Sequence, residues 1–326
     1  MSIGETASAL WEKGGGGLPD RVVGAAPLDA DVAVFQRVFR PDLLPVLRSL
    51  KEQGVALVVD IDDDFMALGP QHPAFRVIHP SFSPTGRSWG VLREAIQLAD
   101  VVTVSTPALA RKYNGVVIRN CVPRAYLDIE RTESHDTPVV GWTGMPMFHP
   151  GDLEVVGDAV AKVCATGSAG FRAIGDASTL TVLGVPGQQH QPGLLLENFD
   201  YARAVAQLDI GIVPLVDSAF NHAKSWLKGL EYAALGVPFV ASIVPEYEAL
   251  NYMGVGSLSG RPKQWYACLR GLIEHPDLRL EMAARGRVAA SALTIEDAMA
   301  PAVWDAWTLA AERRVGQPRR QAILTG

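Results

Sequence analysis

The sequence predicts an α/β protein made of two doubly wound parallel sheets that face each other across a cleft. Three observations carry this reading. Short apolar runs alternate with amphipathic stretches along most of the 326 residues, the pattern of a parallel sheet covered by helices on both faces. The series occurs twice, separated by the polar segment Asp128 to Pro138. A composition of 48% hydrophobic and 20% charged residues, at this length, gives each half enough apolar surface for a core of its own.

The first 30 residues, with Gly14–Gly17 and Pro19, read as loosely structured, and no strand can be placed there. Val32–Phe35 then reads as a buried strand, Pro41 to Gln53 as a helix with proline near its start and Gly54 at its end, and Val55–Val59 as the next strand. A helix over Ser88 to Leu98, a strand at Val101–Val104, a helix over Pro107 to Tyr113 and a strand at Val116–Ile118 complete the first series. In the second, strands are expected at Val139–Trp142, Leu180–Leu183, Ile210–Val213 and Phe239–Ala241, with helices over Gly151 to Ala165 and Tyr201 to Gln207. Further helices follow over Pro262 to His275, Asp277 to Ala290 and Ile295 to about Arg314. The expected units are residues 1–130, 138–294 and a closing segment 295–326. Tandem sheets of this kind bind ligands at the carboxyl ends of their strands, so the active site belongs in the cleft between them.

Charge and cysteine usage exclude several function classes. A net charge of −6 and no Lys or Arg at all between residues 137 and 161 argue against a general nucleic-acid binder. Cys121, Cys164 and Cys268 are far apart, odd in number and outside any metal-ligand spacing, as expected of reduced, buried thiols. The seven histidines form no ligand pattern either. No basic n-region with an apolar h-region opens the chain, and no apolar run approaches the roughly 20 residues that span a bilayer, so a cytoplasmic protein without a transmembrane segment is expected.

The chemistry concentrates in Phe220 to Pro238. Read as one helix that starts near Ser218 or Asn221 and stops at Gly236-Val237-Pro238, this stretch places Lys224, Lys228 and Glu231 on one stripe by i,i+4 and i,i+3 spacing. Trp226, Leu227, Leu230, Ala233 and Ala234 supply its apolar side. Two lysines beside a helix N-terminus suit a diphosphate, and a carboxylate one turn later suits ribose hydroxyls. An ordinary amphipathic helix with solvated lysines is the alternative.

This stretch, and above all Leu230-Glu231-Tyr232-Ala233-Ala234-Leu235-Gly236-Val237-Pro238-Phe239-Val240-Ala241-Ser242, resembles the donor-binding helix of GT-B glycosyltransferases, in particular the retaining, glycogen-synthase-like group. The resemblance implies two Rossmann-like domains, a final helix that crosses back to the first of them, anchored by Trp304 and Trp307, and a nucleotide diphosphate sugar as co-substrate with no cofactor and no metal. Along the chain it is strong over residues 139–250, weaker over 31–123 and absent before 30. One departure is plain: the group carries a second glutamate eight positions before the ribose-binding one, and that position is Ala223 here. Its task then falls to Asn221 or Lys224.

The resemblance assigns the remaining site residues. Thr143 and Gly144, in Gly141-Trp142-Thr143-Gly144-Met145-Pro146, match the turn where backbone meets the donor phosphates. The group commonly has an Arg and a Lys shortly after that turn, whereas only His149 and Asp152 follow here. Gly187, in Gly184-Val185-Pro186-Gly187, falls where the nucleobase packs, unless the cluster is a plain turn. Asn221, Lys224, Ser225, Lys228 and Glu231 complete the donor set, and Val117 to Pro123 resembles the exit from the first domain. The acidic run Asp60–Asp64 ends a first-domain strand, so it reads as acceptor-side, with Asp62 and Asp64 the candidates to bind hydroxyls or act as a base; a structural helix cap is the alternative. Arg313, Arg314, Arg319 and Arg320 complement a helix C-terminus or meet anionic lipid. The expected function is transfer of a sugar from a nucleotide diphosphate sugar to an acceptor (glycan, lipid or protein), with Lys224 as the principal catalytic cation. A UDP-sugar 2-epimerase and a non-catalytic sugar-nucleotide-binding subunit are the alternatives.

Overall fold

The computed structural model describes residues 30–82, 87–131, 135–192 and 198–315. The loosely structured N-terminal segment expected from sequence, and Arg319 and Arg320, lie outside these.

The first half holds a four-stranded parallel sheet in the order β1 (Val32–Gln36), β2 (Ala56–Ile61), β3 (Val101–Val104), β4 (Val116–Val117). Its helices are α1 (Leu43–Glu52), α2 (Phe75–Ile78), α3 (Ser88–Leu98) and α4 (Pro107–Tyr113). Parallel strands taken in sequential order by right-handed crossovers put their connecting helices on one face. Side chains accordingly sort by the strand period of two: Leu57, Val59, Ile61, Val102 and Val104 join Leu47 and Leu92 on the helix-covered face, while Ala56, Val58 and Val101 point the other way.

That second face is covered from the far end of the chain. A π-helical turn (Ile295–Met299) leads into α13 (Ala300–Val315), whose Ala306 and Ala310 are buried against Ala56, Val58, Val101 and Ile118, with Trp307 packed beside them. The expected return of the final helix is thus observed. Trp307 takes part in it, whereas Trp304 is 64% exposed and stands outside the cluster that packs on the first sheet. Arg313 donates to the carbonyl of Asp100 at 2.9 Å and Arg314 to that of Lys51, fixing the helix end to the first sheet.

The second half holds a six-stranded parallel sheet in the order β10 (Ser257–Ser259), β9 (Phe239–Ser242), β8 (Ile210–Val213), β5 (Val139–Gly144), β6 (Gly170–Gly175), β7 (Gln189–Pro192). Its helices are α5 (Ala159–Ala165), α6 (Ser178–Val182), α7 (Asn198–Ala206), α8 (Ala219–His222), α9 (Leu227–Ala234), α10 (Pro245–Tyr252), α11 (Pro262–Glu274) and α12 (Pro276–Ser291). The strand order reverses between β5 and β8, which makes the crevice beyond their carboxyl ends the topological switch point of this sheet.

Three sequence expectations are corrected here. Leu180–Leu183 forms a helical turn, not a strand, because Leu180 and Leu183 are buried in one core cluster at helical i,i+3 spacing; the strand lies earlier, at Gly170–Gly175. The helix expected over Gly151 to Ala165 is divided by Gly157, whose φ of 57° ends a 3-10 turn before α5 begins. The helix expected from Ser218 to Gly236 is two helices. Ser218 caps α8 by accepting from Asn221 N–H, and the chain then breaks over Ala223–Trp226 before α9.

Candidate functional site

The break is made by the first half. Thr106 Oγ1 donates to the carbonyl of Ala223 at 3.0 Å, Trp226 Nε1 donates to the carbonyl of Asn120 at 2.8 Å, and Asn120 Nδ2 donates to Ser225 Oγ at 2.8 Å. Arg119 lies 4.1 Å over the Trp226 ring and pairs with Glu246. The Ala223 carbonyl, which would have continued a helix, is thereby bound across the cleft together with the side chains of Ser225 and Trp226, and α9 starts afresh with its N-terminus uncapped by any side chain. Its free N–H groups and partial positive charge lie beside Lys224 and Lys228.

Those lysines line one cleft of about 280 Å³ with Glu231, Ser225, Trp142 and His149. Pro214 and Leu215, just past β8, form its floor at the switch point, and Asp62 and Asp63 close it from the first half. Lys228 Nζ donates to the backbone carbonyl of Thr143 and, at 3.0 Å, to its Oγ1, and lies 5.4 Å over the Trp142 ring. Burial, partly offset by Glu231, pushes its ammonium down to about 8. Burial likewise raises the Glu231 carboxyl, against the pull of Lys228. Tyr201 OH lies 3.1 Å from Glu231 Oε2 and 3.2 Å from Thr143 Oγ1, so Thr143, itself 1% exposed, ties the lysine to the tyrosine that holds the carboxylate. Lys224 reaches over the Phe220 ring at 4.6 Å. Gly144 ends β5 at φ 142°, and a Cβ on neighbouring Gly175 would sit 2.2 Å from its carbonyl oxygen, so both positions at this strand end require glycine.

The acidic run divides differently from expectation. Asp60 accepts from Thr103 Oγ1 at 2.6 Å and from Gln36. Asp62 is gripped by Arg37, with Nε at 3.0 and 3.1 Å from its two oxygens. Asp64, named above as a candidate base, is corrected: it is 6% exposed, paired with Lys112 at 2.6 Å and bound by Tyr113 OH at 3.1 Å. Asp63 takes its place in the cleft, where burial raises its carboxyl and Lys224 opposes that shift. The cause is that β2 ends at Ile61, so strand alternation no longer governs which way residues 62–64 point.

Two donor assignments are corrected as well. Asn221 is 3% exposed, and its amide donates to Asp152 Oδ1 at 2.8 Å and to the carbonyl of Val216 at 3.0 Å, which makes it part of the wall behind the cleft. Gly187 is exposed and precedes β7 at the amino-terminal end of the sheet, opposite the cleft. Lys224, Ser225, Lys228 and Glu231 do meet in one place, with Thr143 and Gly144 beside them. Tyr201 was missed, since nothing in its sequence neighbourhood marks it. Among the described residues no three His, Cys, Asp or Glu side chains are grouped to hold a metal ion, and no helix is long and apolar enough to cross a membrane.

Comparison with solved structures matches this architecture over most of the chain. WaaG, a glycosyltransferase involved in lipopolysaccharide biosynthesis, superposes with a TM-score of 0.56 at 13% identity, over 81% of this chain and 80% of that one. The fold is that of the GT-B glycosyltransferases. Anabaena HepE in complex with UDP-glucose gives 0.57 at 16% identity over 84% and 78% of the two chains. The trehalose-6-phosphate synthase of E. coli bound with UDP-2-fluoro glucose gives 0.58 at 12% identity over 86% and 73%. No family model and no curated protein matches the chain in sequence.

Proposed function

We propose that the protein is a glycosyltransferase that takes a sugar from a nucleotide diphosphate sugar, with retention of anomeric configuration and without a metal ion. One observation carries this reading: Lys224, Lys228 and an uncapped helix N-terminus converge with the half-buried carboxylate Glu231 at the switch point of the second sheet. The neighbours that share the fold include structures holding UDP-glucose and UDP-2-fluoro glucose, which supports a donor of this class.

The chain's own residues then divide the work. Glu231, held by Tyr201, accepts hydrogen bonds from the ribose hydroxyls. As the bond from the sugar carbon to the diphosphate oxygen breaks, the electron pair passes to that oxygen, where Lys224, Lys228 and the N–H groups of α9 stabilise it. In a transfer with retention the acceptor hydroxyl approaches from the face the diphosphate leaves, so its proton passes to the departing phosphate oxygen. Asp62 and Asp63, across the cleft, hold the acceptor's other hydroxyls. Lys224 is the cation that acts most strongly on Asp63 across the cleft, and we assign it the charge that develops in the transition state.

The decisive experiment is a thermal-shift screen of UDP, GDP, ADP and dTDP sugars, in which a ligand at 100 times its Kd should stabilise by about 2.7 kcal/mol. Product analysis with the binding sugar should follow. Slow release of sugar and nucleotide with unchanged configuration fits a retaining transferase. Interconversion of two sugar nucleotides would indicate an epimerase, and binding without turnover a non-catalytic subunit. Lys224→Ala should lower turnover by on the order of 10²-fold, and unchanged activity would remove that residue from the mechanism.

A further inference from the structure

His149 has no part in the account above, yet its ring lines the same cleft as Lys224 and Lys228. It follows β5 in the turn that begins at Gly144, edge-on to Trp142 at 5.7 Å between ring centres. Its Nδ1 is 3.0 Å from Asp152 Oδ2. The other oxygen of Asp152 already accepts two donors, Val216 N–H at 2.8 Å and the Asn221 amide at 2.8 Å. A carboxylate so engaged requires the proton between it and His149 to sit on the imidazole, at Nδ1. A neutral ring fixed in that tautomer presents only a lone pair at Nε2, and no side chain or backbone group among the described residues donates to that atom. A phosphate oxygen arriving beside a lone pair is repelled; beside an N–H it is bound.

We propose that His149 is a proton-gated third cation of the diphosphate site, neutral in the free protein and protonated at Nε2 when a sugar nucleotide binds. The inference rests on the donor reading given above. It also accounts for a site that lacks the Arg and Lys common after this turn. The charged and titratable groups facing His149 are Asp152 on its own turn, Lys228 on α9, Lys224 before α9, and His72 from the first half. In the free protein burial holds the imidazole below its usual range; the Asp152 hydrogen bond opposes this, and Lys228 and Lys224 add to it. A bound diphosphate reverses the balance of charge around the ring, and one proton is taken from solvent.

Calorimetric titration in two buffers of different ionisation enthalpy counts that proton. UDP-glucose, GDP-mannose, ADP-glucose and dTDP-glucose are suitable probes, because their diphosphates do not titrate near neutrality. Near pH 7 the wild type should take up a large fraction of one proton per ligand, and His149→Gln should take up none. Loss of one charge-assisted hydrogen bond should weaken binding of the variant by about tenfold near pH 6.5 and by little at higher pH. His149→Lys should bind near pH 7 without uptake. Proton uptake near pH 9 belongs to Lys228 and should persist in both variants. The ¹³Cε1 shift of His149 in labelled wild-type protein reports the same protonation, so the test survives a variant that fails to fold. Binding by the wild type without uptake near pH 7, or uptake undiminished in His149→Gln, overturns the proposal and leaves the donor reading intact. Binding of no sugar nucleotide at all overturns both.

Discussion

Replacing Lys228 with methionine should strengthen the fold while abolishing donor binding. Its side chain is half-buried among Thr143, Trp142 and Glu231, and this environment depresses its ammonium from an ordinary 10.5 to about 8. The unfolded chain therefore binds the proton more tightly than the folded one, and folding carries a penalty at neutral pH. At about 1.4 kcal/mol per pH unit the depression corresponds to about 3 kcal/mol. Against it stand the two hydrogen bonds to Thr143, each contributing about 1 kcal/mol net. Methionine keeps the aliphatic length and removes the charge, so Lys228→Met should gain about 1 kcal/mol at neutral pH. The sign of the pH dependence follows: between about pH 8 and 10.5 the folded state sheds this proton before the unfolded one, so wild-type stability rises there, and the variant should lack that rise. Urea denaturation near pH 7 and pH 9.5, paired with calorimetric titration of sugar nucleotides, measures both effects. A variant midpoint below the wild type near pH 7 would show that the ammonium stabilises this environment, and retained donor affinity would exclude Lys228 from the diphosphate site.

Glu231→Gln should weaken nucleoside diphosphate and sugar nucleotide alike by about tenfold or more, since a carboxylate accepts ribose hydroxyls more strongly than an amide; equal affinities by calorimetry would make Glu231 a packing residue. Asp62→Asn and Asp63→Asn should raise the KM for acceptor more than that for donor. Asp64→Asn should instead lower stability by about 1 kcal/mol, since Lys112 is partly exposed and is solvated once unpaired, and the opposite division of effects in steady-state kinetics and denaturation would reverse the assignment of Asp63 and Asp64. Activity should survive EDTA, because the cleft supplies its own cations; loss on chelation with recovery on Mn²⁺ or Mg²⁺ would refute the metal-independent reading.

The stripe Lys224, Lys228, Glu231 is legible because its spacing survives the break in the helix. The break is not legible, since it is imposed by Thr106 and Asn120 from more than 100 residues away, and the local sequence alone favours one continuous helix. The first sheet is readable almost strand by strand, its apolar runs being long and clearly punctuated. Gly170–Gly175 escapes notice because glycines bound it and Arg172 interrupts its apolar run, while Leu180-Thr181-Val182-Leu183 attracts a strand assignment through its β-branched residues although only its two leucines are buried. Asp63 is hidden behind Asp62 and Asp64 by an alternation argument that holds only inside a strand. Tyr201 joins Thr143 and Glu231 from opposite sides of the sheet order, a meeting no local pattern announces.

The return of α13 to the first sheet also sets an order of completion during synthesis. Residues 139–291 supply all six strands of the second sheet and the helices packed on it, so that half can close its core as a continuous stretch emerges from the ribosome. The first half is made earlier, yet one face of its sheet stays bare until Ala306 and Ala310 arrive to cover Ala56, Val58, Val101 and Ile118. The usual N-terminal-first sequence of domain folding is thereby inverted. A nascent chain halted before residue 300 would carry an exposed apolar sheet face beside a finished neighbour, and the first half would be its point of attack for chaperones and proteases.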